Sequence, residues 1–149
     1  MENAQAAEDT SPIEYVTDNK ASHKPPWNPA LIATITILFS VLPGGIFHAL
    51  NYERLGLPQK KITSLTTNLL LSIFIFMASM MFYEIRFGLF QLVFHIACAN
   101  HFYKSQATLF QKQLANTGTK ASMGFPLFVS FLLFLAIIGI TFGLASSRY

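Results

Sequence analysis

Three side chains able to ligate a metal recur at three-residue spacing: His95, Cys98 and His101. On a helix they share an arc of about 120°, which Gln91 joins. Metal ligation is the sharpest reading of such a set. The helical rise argues against it, because His95 and His101 stand about 9 Å apart along the axis, too far to share one ion. A metal site, or a haem, would need a ligand from another helix, and His48 is the other histidine in an apolar stretch. The alternative is a polar stripe that faces the protein interior and hydrogen-bonds between helices, the ordinary use of such groups in a membrane helix. That is the expectation adopted here, with no metal and no cofactor.

A second set, His48, Asn51 and Arg54, follows Pro43-Gly44-Gly45 at three-residue intervals. Broken helices free backbone groups that can bind ions or anionic solutes. A single break near one membrane face is weaker evidence for transport than paired breaks at the midplane. His48, Asn51, Gln91, His95 and His101 together make up the candidate polar site. A third set consists of small residues. Gly139 and Gly143 form a G-x-x-x-G pair that Ala136 extends. Ala33, Thr36, Ser40 and Gly44 share one face of the first apolar stretch, and Asn68, Ser72 and Ser79 share one face of the second. Small residues let membrane helices approach closely and gain dispersion contacts, within one chain or between copies. Packing within the chain is expected.

Other chemistry has no carrier. There is no G-x-S-x-G, phosphate loop, zinc-protease helix or dinucleotide fingerprint. Beyond residue 18 the acids are Glu53 and Glu84, too few for a carboxylate pair at one site. No basic stretch is interleaved with stacking aromatics, so nucleic acid is not expected as a partner. The single cysteine, Cys98, excludes an intrachain disulfide and a two-cysteine redox motif.

The elements that must position these residues follow from composition. Of 149 residues, 52% are hydrophobic and 11% charged, against about 25% charged in a soluble domain. So little charge cannot cover the surface with solvated groups, and lipid must cover part of it. Charge is also divided. Residues 1–26 carry five acids against Lys20 and Lys24, net −3, and the remainder carries +6. The first segment is too polar to offset its ordering entropy and is expected to be disordered, with no secretory signal.

Four apolar stretches follow, at about 30–50, 65–83, 87–103 and 125–145. Each approaches the roughly 20 residues that a helix needs to cross the hydrocarbon core. Trp27 sits at interface depth, Asn28 caps the first helix, and Pro29 occupies its first turn. A kink is expected at Pro43-Gly44-Gly45. Gly56 supplies a left-handed C-cap, and Pro58 to Lys61 form a basic loop. The third stretch is short and polar. It continues as an amphipathic helix with Tyr103, Ala107, Phe110 and Leu114 on one face, so 87–114 reads as one helix that leaves the bilayer and runs along its surface, ended by Asn116-Thr117-Gly118. Ser122 caps the fourth.

The run Gly44-Gly45-Ile46-Phe47-His48-Ala49-Leu50-Asn51-Tyr52-Glu53-Arg54-Leu55-Gly56, then Pro58-Gln59-Lys60, resembles a family of small uncharacterised bacterial multi-span membrane proteins. Gln106, Phe110, Gly118 and Lys120-Ala121-Ser122 extend the likeness, which covers about a third of the chain. The resemblance implies a bacterial source and a four-span layout, and implies no activity.

The expectation is therefore an all-α polytopic protein of the inner membrane with four transmembrane helices. It reads as a small non-enzymatic accessory or structural subunit of a larger assembly, with lipids and partner subunits, or further copies, as neighbours. A homo-oligomeric pore or transporter lined by Asn68, Ser72, Ser79, Gln91 and His95 is the alternative. Loop lysines and arginines outnumber those on the other side six to four, which puts the long loops in the cytoplasm and both termini outside.

Overall fold

The computed structural model describes residues 24–81 and 85–146. The acidic segment lies outside the described residues except for Lys24, Pro25 and Pro26, as do Tyr83, Glu84, Arg148 and Tyr149. Five α-helices form the fold: α1 (Pro29–Leu38), α2 (Val41–Arg54), α3 (Pro58–Met81), α4 (Ile85–Thr117) and α5 (Gly124–Ser146).

The first apolar stretch is not one helix. It is a hairpin of 10 and 14 residues, α1 and α2, broken at Phe39-Ser40. The break lies just before the expected kink, for a steric reason. A proline ring at position 43 would clash with the carbonyl of residue 39 if the helix continued. Breaking at Ser40 instead puts Pro43 in the first turn of α2, where its missing N–H costs nothing. Ser40 adopts φ 147° and ψ 174°, a region normally reserved for glycine. The two short helices then fold back on each other. A Cβ at Gly44 would overlap the Thr36 side chain, so the approach requires glycine there.

The ends of the hairpin follow the expected capping. Asn28 Oδ1 accepts from the Ala30 N–H at 3.0 Å. Gly56, at φ 79°, closes α2 with a Schellman pair, Leu57 N–H to Tyr52 O at 2.8 Å and Gly56 N–H to Glu53 O at 3.2 Å. Pro58 to Lys61 form the first turn of α3 rather than a loop, because proline is pre-organised for the first helical position. Gly118, at φ 66°, ends α4 as the sequence suggests, its N–H bonded to Leu114 O at 2.8 Å.

The hairpin is the hub. Among the described residues, α3 packs on α2, α4 on α1 and α2, and α5 on α2, and this packing dominates over contact among the three long helices. Two apolar clusters hold it. Trp27, Ile32, Ile35, Phe47 and Met123 fill its open end, and Val41, Ile75, Cys98 and Phe102 surround its tip. Phe39 at the tip meets Phe131 and Phe134 of α5 edge-on, at 6.4 and 5.9 Å.

One helix, α3 over Pro58–Ala78, is long and apolar enough to cross a membrane among the described residues. Four such spans are not supported. Residues 30–50 fail because the hairpin divides them, and α4 fails because polar residues interrupt its apolar run.

Candidate functional site

The buried polar residues His48, Asn51, Asn68 and Gln106 converge where α2 faces α3 and α4. Asn51, wholly buried, is the centre. Its Oδ1 accepts from the Trp27 backbone N–H at 2.8 Å, and its Nδ2 donates to the Trp27 carbonyl at 3.0 Å. Nδ2 also donates to Gln106 Oε1 at 2.9 Å. These partners fix the amide orientation, since a flip would set donor against donor. Gln106, also wholly buried, donates from Nε2 to the His48 carbonyl at 2.7 Å. One side chain thus ties the hairpin's entering strand to its second helix, and a second ties that helix to α4.

His48, one turn before Asn51, joins three helices through its ring. Nε2 lies 2.9 Å from Ser105 Oγ of α4, and Nδ1 lies 3.1 Å from Ser64 Oγ and 3.3 Å from Asn68 Nδ2 of α3. The Ser105 hydroxyl donates to Phe102 O at 3.1 Å, so its oxygen accepts from His48 Nε2–H. Ser64 Oγ accepts from Asn68 Nδ2, which leaves its own hydrogen to donate to Nδ1, so the ring is the neutral Nε2–H tautomer. Asn68 further donates to the Gly45 carbonyl at 3.0 Å and to Ser64 Oγ at 3.2 Å. Phe102 stacks on the imidazole at 4.3 Å and 16°, and Tyr52 meets it edge-on at 5.0 Å. A Cβ at Gly45 would come within 2.7 Å of Asn68 Cβ, so glycine again permits the seam.

Above this layer Arg54 closes the open end. Its guanidinium lies 3.6 Å from the Trp27 ring centroid, and Nη1 donates to Pro25 O at 2.7 Å. Gln113 of α4 donates to the Arg54 carbonyl at 3.1 Å. Trp27 Nε1 donates to Ser122 O at 3.2 Å, and Ala121 N–H to Pro26 O at 2.9 Å, which draws in the start of α5. Trp27 is therefore an interior residue, 5% exposed. Glu53 and Lys61 pair at 2.7 Å on the surface, and that ammonium holds the carboxyl below the usual carboxylate range.

Of the candidate polar site, His48 and Asn51 come together. The others do not join them by hydrogen bonds. His101 is exposed, its ring 6.4 Å from that of His48. His95 and Gln91 are half-buried, farther toward the start of α4. Cys98 is buried against Val41, Ile75 and Phe102. Both nitrogens of His48 are engaged, which removes it as a ligand donated to the α4 stripe. Among the described residues no three histidines, cysteines or acids could hold one metal ion.

The expected small-residue packing divides. Gly44 meets Thr36, but Gly139 and Gly143 have nothing within 4 Å, and Ala136 is exposed. Among the described residues that stripe meets no other helix, because α5 is held near its first half. Ser40 has a buried hydroxyl oxygen without a hydrogen-bond partner. The amphipathic face of α4 is also rotated. Phe102, Gln106 and Phe110 are buried against the hairpin, while Tyr103 is 45% exposed, so the latter half of α4 packs its buried face on the hairpin.

The Ser64 and Ser105 hydroxyls flank the His48 imidazole, but the Ser105 hydrogen is committed to Phe102 O, and no paired carboxylates stand beside them among the described residues. Chemically it does one thing: it satisfies the polar groups of a folded-back helix pair while binding that pair to α3 and α4. Searches against family models, curated proteins and solved structures found no match to this chain.

Proposed function

We propose that this chain is a small non-enzymatic membrane subunit whose three long helices offer surfaces to a partner membrane protein. The observation that carries the reading is the contrast between the interior of the bundle and its surface. The interior is tied by hydrogen bonds among buried side chains. Apolar side chains stand outward along every long helix: Ile62 is 71% exposed, Phe74 67%, Leu89 69%, Phe125 68% and Phe142 70%. Large apolar side chains exposed along every long helix call for lipid or another protein.

In this reading α3, α4 and α5 cross the bilayer, and the α1–α2 hairpin enters and leaves on one side. At 1.5 Å per residue, α5 is about 35 Å long and α1 about 15 Å, a full and a half crossing of a core about 30 Å thick. The hairpin changes the orientation argument. Eight of the ten lysines and arginines then fall on its open side, against Arg86 and Arg148 on the other. The positive-inside bias puts the N-terminal segment and both long loops in the cytoplasm and the C-terminal end outside. A solute path is less well supported, because Asn68 and Ser72 are committed to intrachain bonds, Ser72 Oγ to Asn68 O at 2.7 Å.

Gentle detergent extraction followed by mass analysis tests the proposal. Recovery with a stoichiometric foreign subunit is the expected result. A closed ring of identical copies, with solute flux in proteoliposomes, would overturn it in favour of a pore.

A further inference from the structure

The hairpin's open end carries a basic face. Lys60 and Lys61 lie in the first turn of α3. Lys112 precedes Gln113, which bonds the Arg54 carbonyl, and Lys120 precedes Ala121, which bonds Pro26. Lys104 precedes Ser105, the partner of His48. Among the described residues one carboxylate answers them, Glu53, and it is paired with Lys61. Lys60, Lys104, Lys112 and Lys120 are exposed and make no ion pair with a described residue.

The chain itself carries the complement. Glu2, Glu8, Asp9, Glu14 and Asp18 precede this face in the sequence, against one lysine, Lys20. Their segment joins the fold at Lys24–Trp27, where Pro25 and Pro26 are bonded into the same end. From Lys24, Asp18 reaches about 20 Å and Glu2 about 70 Å when extended, so every lysine of the face is within range. A tether of this length keeps the acids at millimolar effective concentration, which no free acidic peptide would match.

We propose that the acidic segment within residues 1–18 is the intrachain occupant of this basic face, bound across Lys104, Lys112 and Lys120. Each exposed pair is weak and salt-screened, and the binding comes from several acting together on a short tether. Any anionic partner of the face, lipid headgroup or protein, must displace the segment first.

Zero-length carbodiimide coupling of the full chain, one copy per phosphatidylcholine nanodisc, reads this directly. The reagent joins only carboxylates and amines in contact, and the Glu53–Lys61 pair is an internal control for the fold. The expected result is linkage of Glu8, Asp9, Glu14 or Asp18 to Lys104, Lys112 or Lys120. That linkage should fall severalfold at about 1 M salt, where the screening length is about 3 Å. It should fall likewise when Lys104→Gln, Lys112→Gln and Lys120→Gln are combined, with the control link kept. A control link without any tail linkage would overturn the proposal. Tail linkage should also fall when phosphatidylglycerol replaces part of the lipid, because its headgroups are an anionic partner that displaces the segment.

Discussion

The Asn51 amide pairs with both backbone polar groups of Trp27, at 2.8 and 3.0 Å, across 24 residues of chain. The same nitrogen reaches Gln106. One asparagine therefore sets the depth at which the entering strand meets α2 and α4. Replacing it by leucine leaves the Trp27 N–H, the Trp27 carbonyl and Gln106 Oε1 without partners. At about 1–3 kcal/mol for each buried group, the loss should be at least about 3 kcal/mol. Denaturant titration in mild detergent should show this as a large fall in the unfolding midpoint. Gln106→Leu should cost less, and the double variant should fall short of the sum, because the two side chains share a bond.

Glycine substitutions separate the tied interior from the exposed surface. Gly44→Ala overlaps Thr36, and Gly45→Ala comes within 2.7 Å of Asn68 Cβ. Each should destabilise by about 1–3 kcal/mol, the usual cost of overpacking. Thr36→Ala should not rescue Gly44→Ala, since the overlap reaches the Thr36 backbone as well as its side chain, its Cα lying 2.9 Å away. Gly139→Ala and Gly143→Ala meet no described atom within 4 Å and should leave the stability of the isolated chain unchanged. Thermal unfolding of the four variants checks the ranking.

Ser40 offers a gain. Its φ of 147° is strained for any side chain, and its hydroxyl oxygen is buried without a partner. Ser40→Gly relieves both, against the added chain entropy of glycine, and should raise stability by about 1 kcal/mol. A lower unfolding midpoint for this variant would contradict the hairpin's tip as described.

His48 should behave as a neutral hydrogen-bonding hub. His48→Phe would keep the stack on Phe102 but leave Ser64 and Ser105 without their ring partners. A loss of about 2 kcal/mol or more is expected, and Asn68→Ala should add little to it because both changes open the same seam. A double-mutant cycle in detergent measures that coupling.

Local signals in the sequence carried far and long-range ones did not. The Asn28 cap, the Gly56 and Gly118 ends and the single long helix through 87–114 follow from residue chemistry within one or two turns. The break near Pro43 was legible for the same reason. Its consequence was not, because whether a broken helix kinks onward or folds back depends on what it meets, here Thr36 against Gly44 and Asn51 against Trp27. His48 and Asn51 stood out as polar groups in an apolar stretch, but their partners Ser64, Ser105 and Gln106 are ordinary residues whose roles exist only across helices. Asn68 stood out as a small residue on a helix face and as a lining residue of a pore, and its place beside His48 was not legible. The α4 stripe was misjudged by about one position, since hydrophobicity favours Tyr103 over Gln106, whereas the hairpin's buried carbonyl and amide favour the glutamine.

The central claim is that α1 and α2 form a hairpin that does not cross the membrane. Topology reporters fused separately before residue 24, in the 118–123 connection and after Tyr149 test it most directly. The account predicts the first two on the cytoplasmic side and the third on the opposite side. Signals placing the first and third on the same side would mean that residues 30–50 cross after all, and would contradict it.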